Sequence, residues 1–274
     1  MIRDAIRTPA VAGVFYPGDR AAIAAEIAQL MPSGTLSAPG VSAVAAVCPH
    51  AGWRYSGALA GKLLGSLIVP ESVLVLAPNH TGRGPRASVW ASGGWTLPGG
   101  TVPIDEPLCL ALRDESPLLE ADCDAHLDEH AIEVLLPLLA ARQPRLRLAP
   151  IVLGGLAFSE CEALGAAIAR AVTRVPGPTL IIASSDMNHY LPDDETRALD
   201  QLALAPLVAM DARGLFQAVR AHGITMCGYL PATVALIAAR ALGATAAQLI
   251  GYATSADAGG DRERVVGYAA VRIS

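Results

Sequence analysis

The sequence predicts an α/β fold: a single domain over 1–274 with a central, mostly parallel or mixed sheet covered by helices. Three observations carry this. Several strand-length segments are apolar throughout, which is the mark of a sheet covered on both faces. Helix-length segments alternate with them. No internal repeat and no linker divides the 274 residues.

Taken in order, AAIAAEIAQLM (Ala21–Met31) reads as a helix with Asp19 as its cap. PSGTLSAPG reads as a loop. VSAVAAVC (Val41–Cys48) is a buried strand that ends in Pro49 and His50. SGALAGKLLGSL (Ser56–Leu67) is a helix and VLVLA (Val73–Ala77) the next strand. The glycine-rich TGRGPRASVWASGGWTLPGG is expected to form a hairpin turning at Gly93-Gly94. EHAIEVLLPLLAAR is a helix that Pro137 bends or restarts. LRLAPIVLG is a strand, SECEALGAAIARAV a helix and TLIIAS (Thr179–Ser184) a strand. DETRALDQLALAPLVAM, GLFQAVRAHG and PATVALIAARALG are helical, the last with Pro231 at its favoured first position. AQLIGYAT and RVVGYAAVRI close the chain as strands.

Composition narrows the function. The chain is 53% hydrophobic, so a large core is easily buried, yet no apolar run reaches the ~18 residues of a membrane span. MIRDAIRTPA has no apolar signal core, so a cytoplasmic protein is expected. The net charge of −5, with no Lys/Arg run, argues against a nucleic-acid partner. Five cysteines, an odd number without paired spacing, argue against a disulfide framework. Cys48, Cys109, Cys123 and Cys161 read as buried or loop thiols, and Asp257 and Asp261 as loop organisers.

The polar residues at strand tips point to a site. In open α/β sheets ligands bind beyond the carboxyl ends of the strands. One strand runs into PHAGW with His50, one into PNH with His80, and one into SDMNHY with Ser185, Asp186 and His189. Three of the six histidines at strand tips suggest metal binding, because neutral imidazole ligates Fe, Cu, Zn and Ni. His50 and His80, taken as coming from neighbouring strands, need a third donor. Cys227 in ITMCGYLP is the candidate, placed just before a helix where amide groups and dipole favour a thiolate. A fourth histidine, His130, opens a helix after a loop.

TPAVAGVFYPGD, CPHAGWRYSG, LAPNHTG, DEHAIEVLLP, SSDMNHY, MCGYLP and VVGYAAV, in that order, resemble the Memo family (mediator of ErbB2-driven cell motility). Its bacterial and archaeal members are called AmmeMemoRadiSam system protein B. The resemblance runs from Thr8 to Val271 and implies a fold similar to class III extradiol dioxygenases, which use non-haem Fe(II). It implies His50, His80 and Cys227 as metal ligands; the chemistry of two imidazoles and a thiolate suits iron or copper first and zinc second. His189 would stand where the dioxygenases keep an acid/base histidine, and His130 and Asp186 would line the same pocket. Cys227 stands where the dioxygenases have a carboxylate, a departure that weighs against ring cleavage. Trp53 stands where the family more often has Tyr.

The reading that follows is a metal-dependent redox enzyme acting on a small molecule or peptide in a modification system. The resemblance adds radical-SAM and AMMECR1-type proteins as partners. The alternative is a non-catalytic metal- or peptide-binding adaptor with a vestigial dioxygenase pocket; a zinc hydrolase ranks third. Asp186 is suited to orient an imidazole, and Tyr55 and Ser56 to hydrogen-bond a substrate. HLDEH (His126–His130) also matches the inverted zinc-peptidase pattern, with Glu129 as base on one helix. It leaves His50, His80 and Cys227 unexplained, and the resemblance implies only the EH portion of this stretch, so His126 reads as incidental. Glu133 reads as a solvated helix charge and His222 as a surface residue.

Overall fold

The computed structural model describes residues 5–31 and 40–274; apart from Gly40, the loop expected at PSGTLSAPG falls outside them. A short strand, β1 (Ile6–Arg7), precedes α1 (Arg20–Leu30). Asp19 caps α1, its Oδ1 accepting the Ala22 N–H at 2.9 Å. After β2 (Ala45–Cys48), a π-helical turn at Trp53–Gly57 feeds α2 (Ala58–Ser66), and β3 (Ser72–Pro78) follows. The π turn sits directly after His50, and such turns concentrate at functional sites.

The glycine-rich stretch departs from the expected hairpin. β4 (Ala87–Val89) joins the large sheet, whereas β5 (Gly94–Leu97) and β6 (Gly100–Pro103) pair with each other around Pro98-Gly99. Gly93 (φ +86°) is where the chain changes sheet rather than where it turns back. A Cβ there would stand 2.0 Å from the Ala5 carbonyl oxygen, so close approach of the β1 segment fixes the glycine.

The chain continues with α3 (Glu106–Glu115), β7 (Glu120–Ala121), α4 (His130–Glu133), α5 (Leu136–Arg142), β8 (Arg147–Leu153) and α6 (Phe158–Arg174). The helix expected at EHAIEVLLPLLAAR is therefore split, with Pro137 in the first turn of α5. Next come β9 (Thr179–Ser184), β10 (His189–Leu191), α7 (Asp193–Val208), α8 (Ala212–Ala221), α9 (Tyr229–Ala241), β11 (Ala247–Thr254) and β12 (Val265–Ile273). Pro231 is the third residue of α9, not the first.

β2, β9, β3 and β8 lie side by side, all parallel. Antiparallel neighbours flank them: β12 beyond β2, and β4 beyond β8. β12 also pairs with β11 along most of its length and with β10 at its start. A second sheet of three strands has the order β1-β5-β6. The four parallel strands are buried almost end to end, and α9 lies across β9, β3 and β2. The expected α/β class, with mixed sheets covered by helices, is thus observed. Among the described residues no helix is long and apolar enough to cross a membrane.

Candidate metal centre

The parallel core decides where the histidines meet. β2, β9 and β3 run in one direction, with Cys48 beside Ser184 and Leu76 beside Ala183 in register. Their carboxyl ends therefore open on one side of the sheet. His50 and His80 do not come from neighbouring strands, because β9 lies between β2 and β3. A third imidazole, from the start of α4, reaches the same place. His50, His80 and His130 each offer a nitrogen, all within 4.8 Å of one another. The His50 ring meets the other two edge-on, at 5.3 and 5.4 Å between centroids; His80 and His130 stack at 4.6 Å.

Hydrogen bonds set which nitrogen of each ring is free. The Ser184 hydroxyl donates to the Ala131 carbonyl at 2.6 Å, so it accepts from His50 Nδ1, 2.8 Å away. Nε2 of His50 is left unprotonated. Glu129 does the same for His80: its Oε1 lies 2.8 Å from Nδ1, and its Oε2 accepts the His80 backbone N–H at 2.7 Å. A carboxylate accepts only, so the His80 proton sits on Nδ1 and its Nε2 lone pair is free for the cleft. A carboxylate holding the far side of an imidazole is the usual support of a metal-binding histidine. His130 Nδ1 is 3.5 Å from the same Glu129 oxygen.

The electrostatics keep the His50 and His130 rings neutral. Burial first, then the neighbouring His80, lowers the His50 pKa to about 3. Burial and His50 lower that of His130 to about 4. Burial works against the Glu129 charge, but the His80 ring and the N–H groups of Ala131 and His80 outweigh it and bring its pKa to about 2. Neutral imidazoles beside a fixed carboxylate suit a cation.

Cys227 lies against this group, its Sγ 3.3 Å from His50 Nε2 and 3.3 Å from the donating Asp186 N–H. The helix start that follows it does not make it a thiolate on its own. Burial, and secondly the Asp186 carboxylate, push its pKa up. Asp186 is 4% exposed, and its Oδ1 accepts the His50 backbone N–H at 2.8 Å. It shapes the loop that carries His50, while burial raises its own pKa.

His50, His80, His130, Asp186, His189 and Cys227 line one cleft of about 790 Å³. His189 Nδ1 lies 3.0 Å from the Thr225 carbonyl and must donate to it, so its Nε2 is the bare nitrogen. Tyr55 lines the cleft; Ser56 does not, because it is buried and its hydroxyl donates to the Ala51 carbonyl at 2.9 Å. His222 is exposed, as expected.

The zinc-peptidase pattern dissolves in three dimensions. Residues 126–128 form a turn and Glu129 is extended, so they do not share one helix with His130. His126 is fully buried, its Nε2 2.8 Å from Ser88 Oγ and its ring against the edges of Trp90 and Trp95. Glu133 is no solvated charge either: it is fully buried, paired with Arg7 at 2.7 Å, and accepts from Tyr16 Oη and the N–H groups of Ala10 and Val11.

In the sequence Glu129 stands out only within that discarded pattern, and Ser184 does not stand out. The available signal was position: Ser184 is the last residue of an apolar strand, and Glu129 directly precedes a cleft histidine.

Residues 7–272 match the family described as Memo-like protein. The chain belongs to the Memo-like family. A MEMO1 family protein of Methanothermobacter thermautotrophicus is 38% identical, over 96% of this chain and 99% of its own. One from Sulfolobus acidocaldarius is 37% identical, over 98% of this chain and 99% of its own. Among solved structures, an uncharacterized protein of Escherichia coli K12 is similar in fold, with a TM-score of 0.53 and 14% identity. That likeness covers 83% of this chain and 98% of the other. The family match extends over the segments that carry every cleft residue named above.

Proposed function

We propose that this Memo-like protein is a metal-dependent redox enzyme that holds a divalent iron or copper ion, acting within a modification system. His50, His80 and His130 would supply nitrogen, with Cys227 as a sulfur donor beside His50. The observation that carries the reading is the fixed proton on Nδ1 of both His50 and His80, which leaves two lone pairs in one cleft. The donor set fits the group: neutral imidazoles and a thiol suit iron and copper, and zinc as well. Such an ion, when bound, supplies one-electron chemistry and polarises an attached oxygen.

The chain's own groups have separable tasks. Glu129 and Ser184 orient imidazoles. His189, half-buried in the cleft wall with Nε2 left free by the bond at Nδ1, is suited to take a proton from a substrate. Burial of Cys227 keeps its proton on until a cation is present. A second reading, a non-catalytic peptide-binding adaptor, draws on the rim, where Val14, Tyr55 and Tyr190 are 79%, 40% and 63% exposed. Exposed apolar rims mark interaction surfaces.

Reconstitution without oxygen, first with Fe(II) and then with Cu(II), separates the two. The enzyme reading expects near-stoichiometric metal that can be cycled reversibly between two oxidation states in place, followed by electron paramagnetic resonance. Metal that is released on cycling, or that cannot be cycled in place, would favour the adaptor.

A further inference from the structure

Two segments of the cleft wall are laced together. Residues 185–189 follow β9, and residues 225–228 connect α8 to α9. The Thr225 hydroxyl oxygen accepts the His189 backbone N–H at 2.7 Å, and the Thr225 carbonyl accepts from His189 Nδ1 at 3.0 Å. Asn188 Oδ1 accepts both the Thr225 N–H and the Thr225 hydroxyl proton, each at 3.0 Å. Asn188 is 1% exposed, and its own N–H is held by the buried Asp200 carboxylate at 2.8 Å. Two residues beyond Thr225, Cys227 Sγ receives the Asp186 N–H. Gly228 then donates its N–H to Ser185 Oγ at 3.0 Å. A Cβ at Gly228 would sit 2.3 Å from the Ser184 carbonyl oxygen, so the segments have no room to separate by a side chain there.

We propose that Asn188 and Thr225 are positioning residues: one clasp that fixes the tautomer of His189 and the place of Cys227 beside His50. The inference rests on the reading of Cys227 as a donor and His189 as a proton carrier. The physical reason lies in the direction of each bond. Thr225 offers His189 Nδ1 only an acceptor, so that nitrogen must carry the proton. Asn188 Oδ1 can accept but not donate, so it consumes the Thr225 N–H and hydroxyl proton and turns the Thr225 oxygen lone pairs to His189. Thr225 is exposed, yet both its backbone and its side chain are committed inward. The clasp also leaves Cys227 little freedom, because only Met226 separates it from Thr225.

Two readouts test this without knowledge of a substrate. Nitrogen-15 shifts of His189 report its tautomer, and Co(II), used as the probe metal, reports a bound thiolate through its charge-transfer band. Thr225→Val removes the hydroxyl from an exposed position, so folding is expected to survive. Asn188→Leu removes the acceptor behind it. Both variants keep the Thr225 carbonyl but lose bonds that hold it against His189, so both should shift His189 from one Nδ1–H tautomer to a mixture. Both should weaken Co(II) binding by about 10-fold or more, the range seen when supporting partners of metal sites are removed. Thr225→Ser, which keeps the hydroxyl, should behave as wild type. A folded Thr225→Val protein with an unchanged His189 tautomer and unchanged Co(II) affinity would overturn the clasp. A wild-type protein that binds Co(II) without the thiolate band would overturn the donor reading of Cys227 and the metal half of the clasp. The His189 tautomer in the variants would then decide the other half.

Discussion

Two clefts of nearly equal size lie at opposite ends of the parallel strands. The one at the carboxyl ends measures about 790 Å³ and holds four histidines and a cysteine. The one at the amino ends measures about 840 Å³ and is walled by α1, the β5–β6 hairpin, α5 and the start of β8. Its polar groups include Arg145, Arg147 and Glu71, and these are already paired with one another near the surface. Volume therefore does not distinguish the two. The difference is what the polar atoms have left to give: in the first cleft each fixed imidazole keeps a bare nitrogen, and in the second Arg145 and Arg147 are already engaged by Glu71.

The foundations differ as well. Beneath the first cleft, Arg7 and Glu133 form an ion pair with side chains 0% exposed. Arg7 also donates to the carbonyls of His126 and Glu129, at 2.7 and 2.8 Å, bracketing the turn that presents Glu129. Beside the second, Arg145 and Glu71 have side chains 82% and 34% exposed. The largest effect should thus come from Arg7→Met, which strands a buried carboxylate and is expected to cost about 3–5 kcal/mol in urea unfolding. A loss below about 1 kcal/mol would mean that the first cleft does not rest on this pair.

Glu129→Gln comes next. The amide can no longer act as a charged acceptor for His80, and metal affinity should fall about 10–100-fold, read by competition with a chelator. Unchanged affinity would remove Glu129 from the support of the site.

The third effect is on pH. Burial lowers the His126 pKa from 6.5 to about 3, so the unfolded chain takes up a proton there that the folded chain refuses. Stability from this group is present above about 6.5 and falls as pH drops toward 3. The slope is up to about 1.4 kcal/mol per pH unit. Comparing His126→Gln with wild type, both metal-loaded, across that window should show a flatter curve for the variant. Parallel curves would contradict the assignment of His126 to the scaffold.

The smallest effect belongs to the second cleft. Glu71→Gln breaks exposed pairs worth about 0–1 kcal/mol and should leave metal binding untouched. If it altered metal loading, the separation of the two clefts would fail.

Much of this contrast was legible in the sequence. Solid apolar strands located β2, β3 and β9, and the residues just beyond their ends located His50, His80, Asp186 and His189. Strand order was not legible, since the position of β9 between β2 and β3 depends on crossovers that no local pattern encodes. Gly93 misled because glycine serves close packing as readily as a turn. Glu129 and Glu133 are one helical turn apart and look alike in sequence. Only the fold sends one to a cleft histidine and the other to an arginine 126 positions away. Cys227 showed its place before α9 but not the desolvation that, with Asp186, pushes its pKa up.

The central claim is that the fixed imidazoles hold an ion, and metal content tests it most directly. Protein purified without oxygen or an affinity tag would be analysed by mass spectrometry as wild type, His50→Ala, His80→Ala and Glu71→Gln. Near-stoichiometric iron or copper in wild type and Glu71→Gln, lost in both histidine variants, is the expected result. Metal retained in full by both histidine variants, or absent from wild type even after reconstitution, would contradict the account.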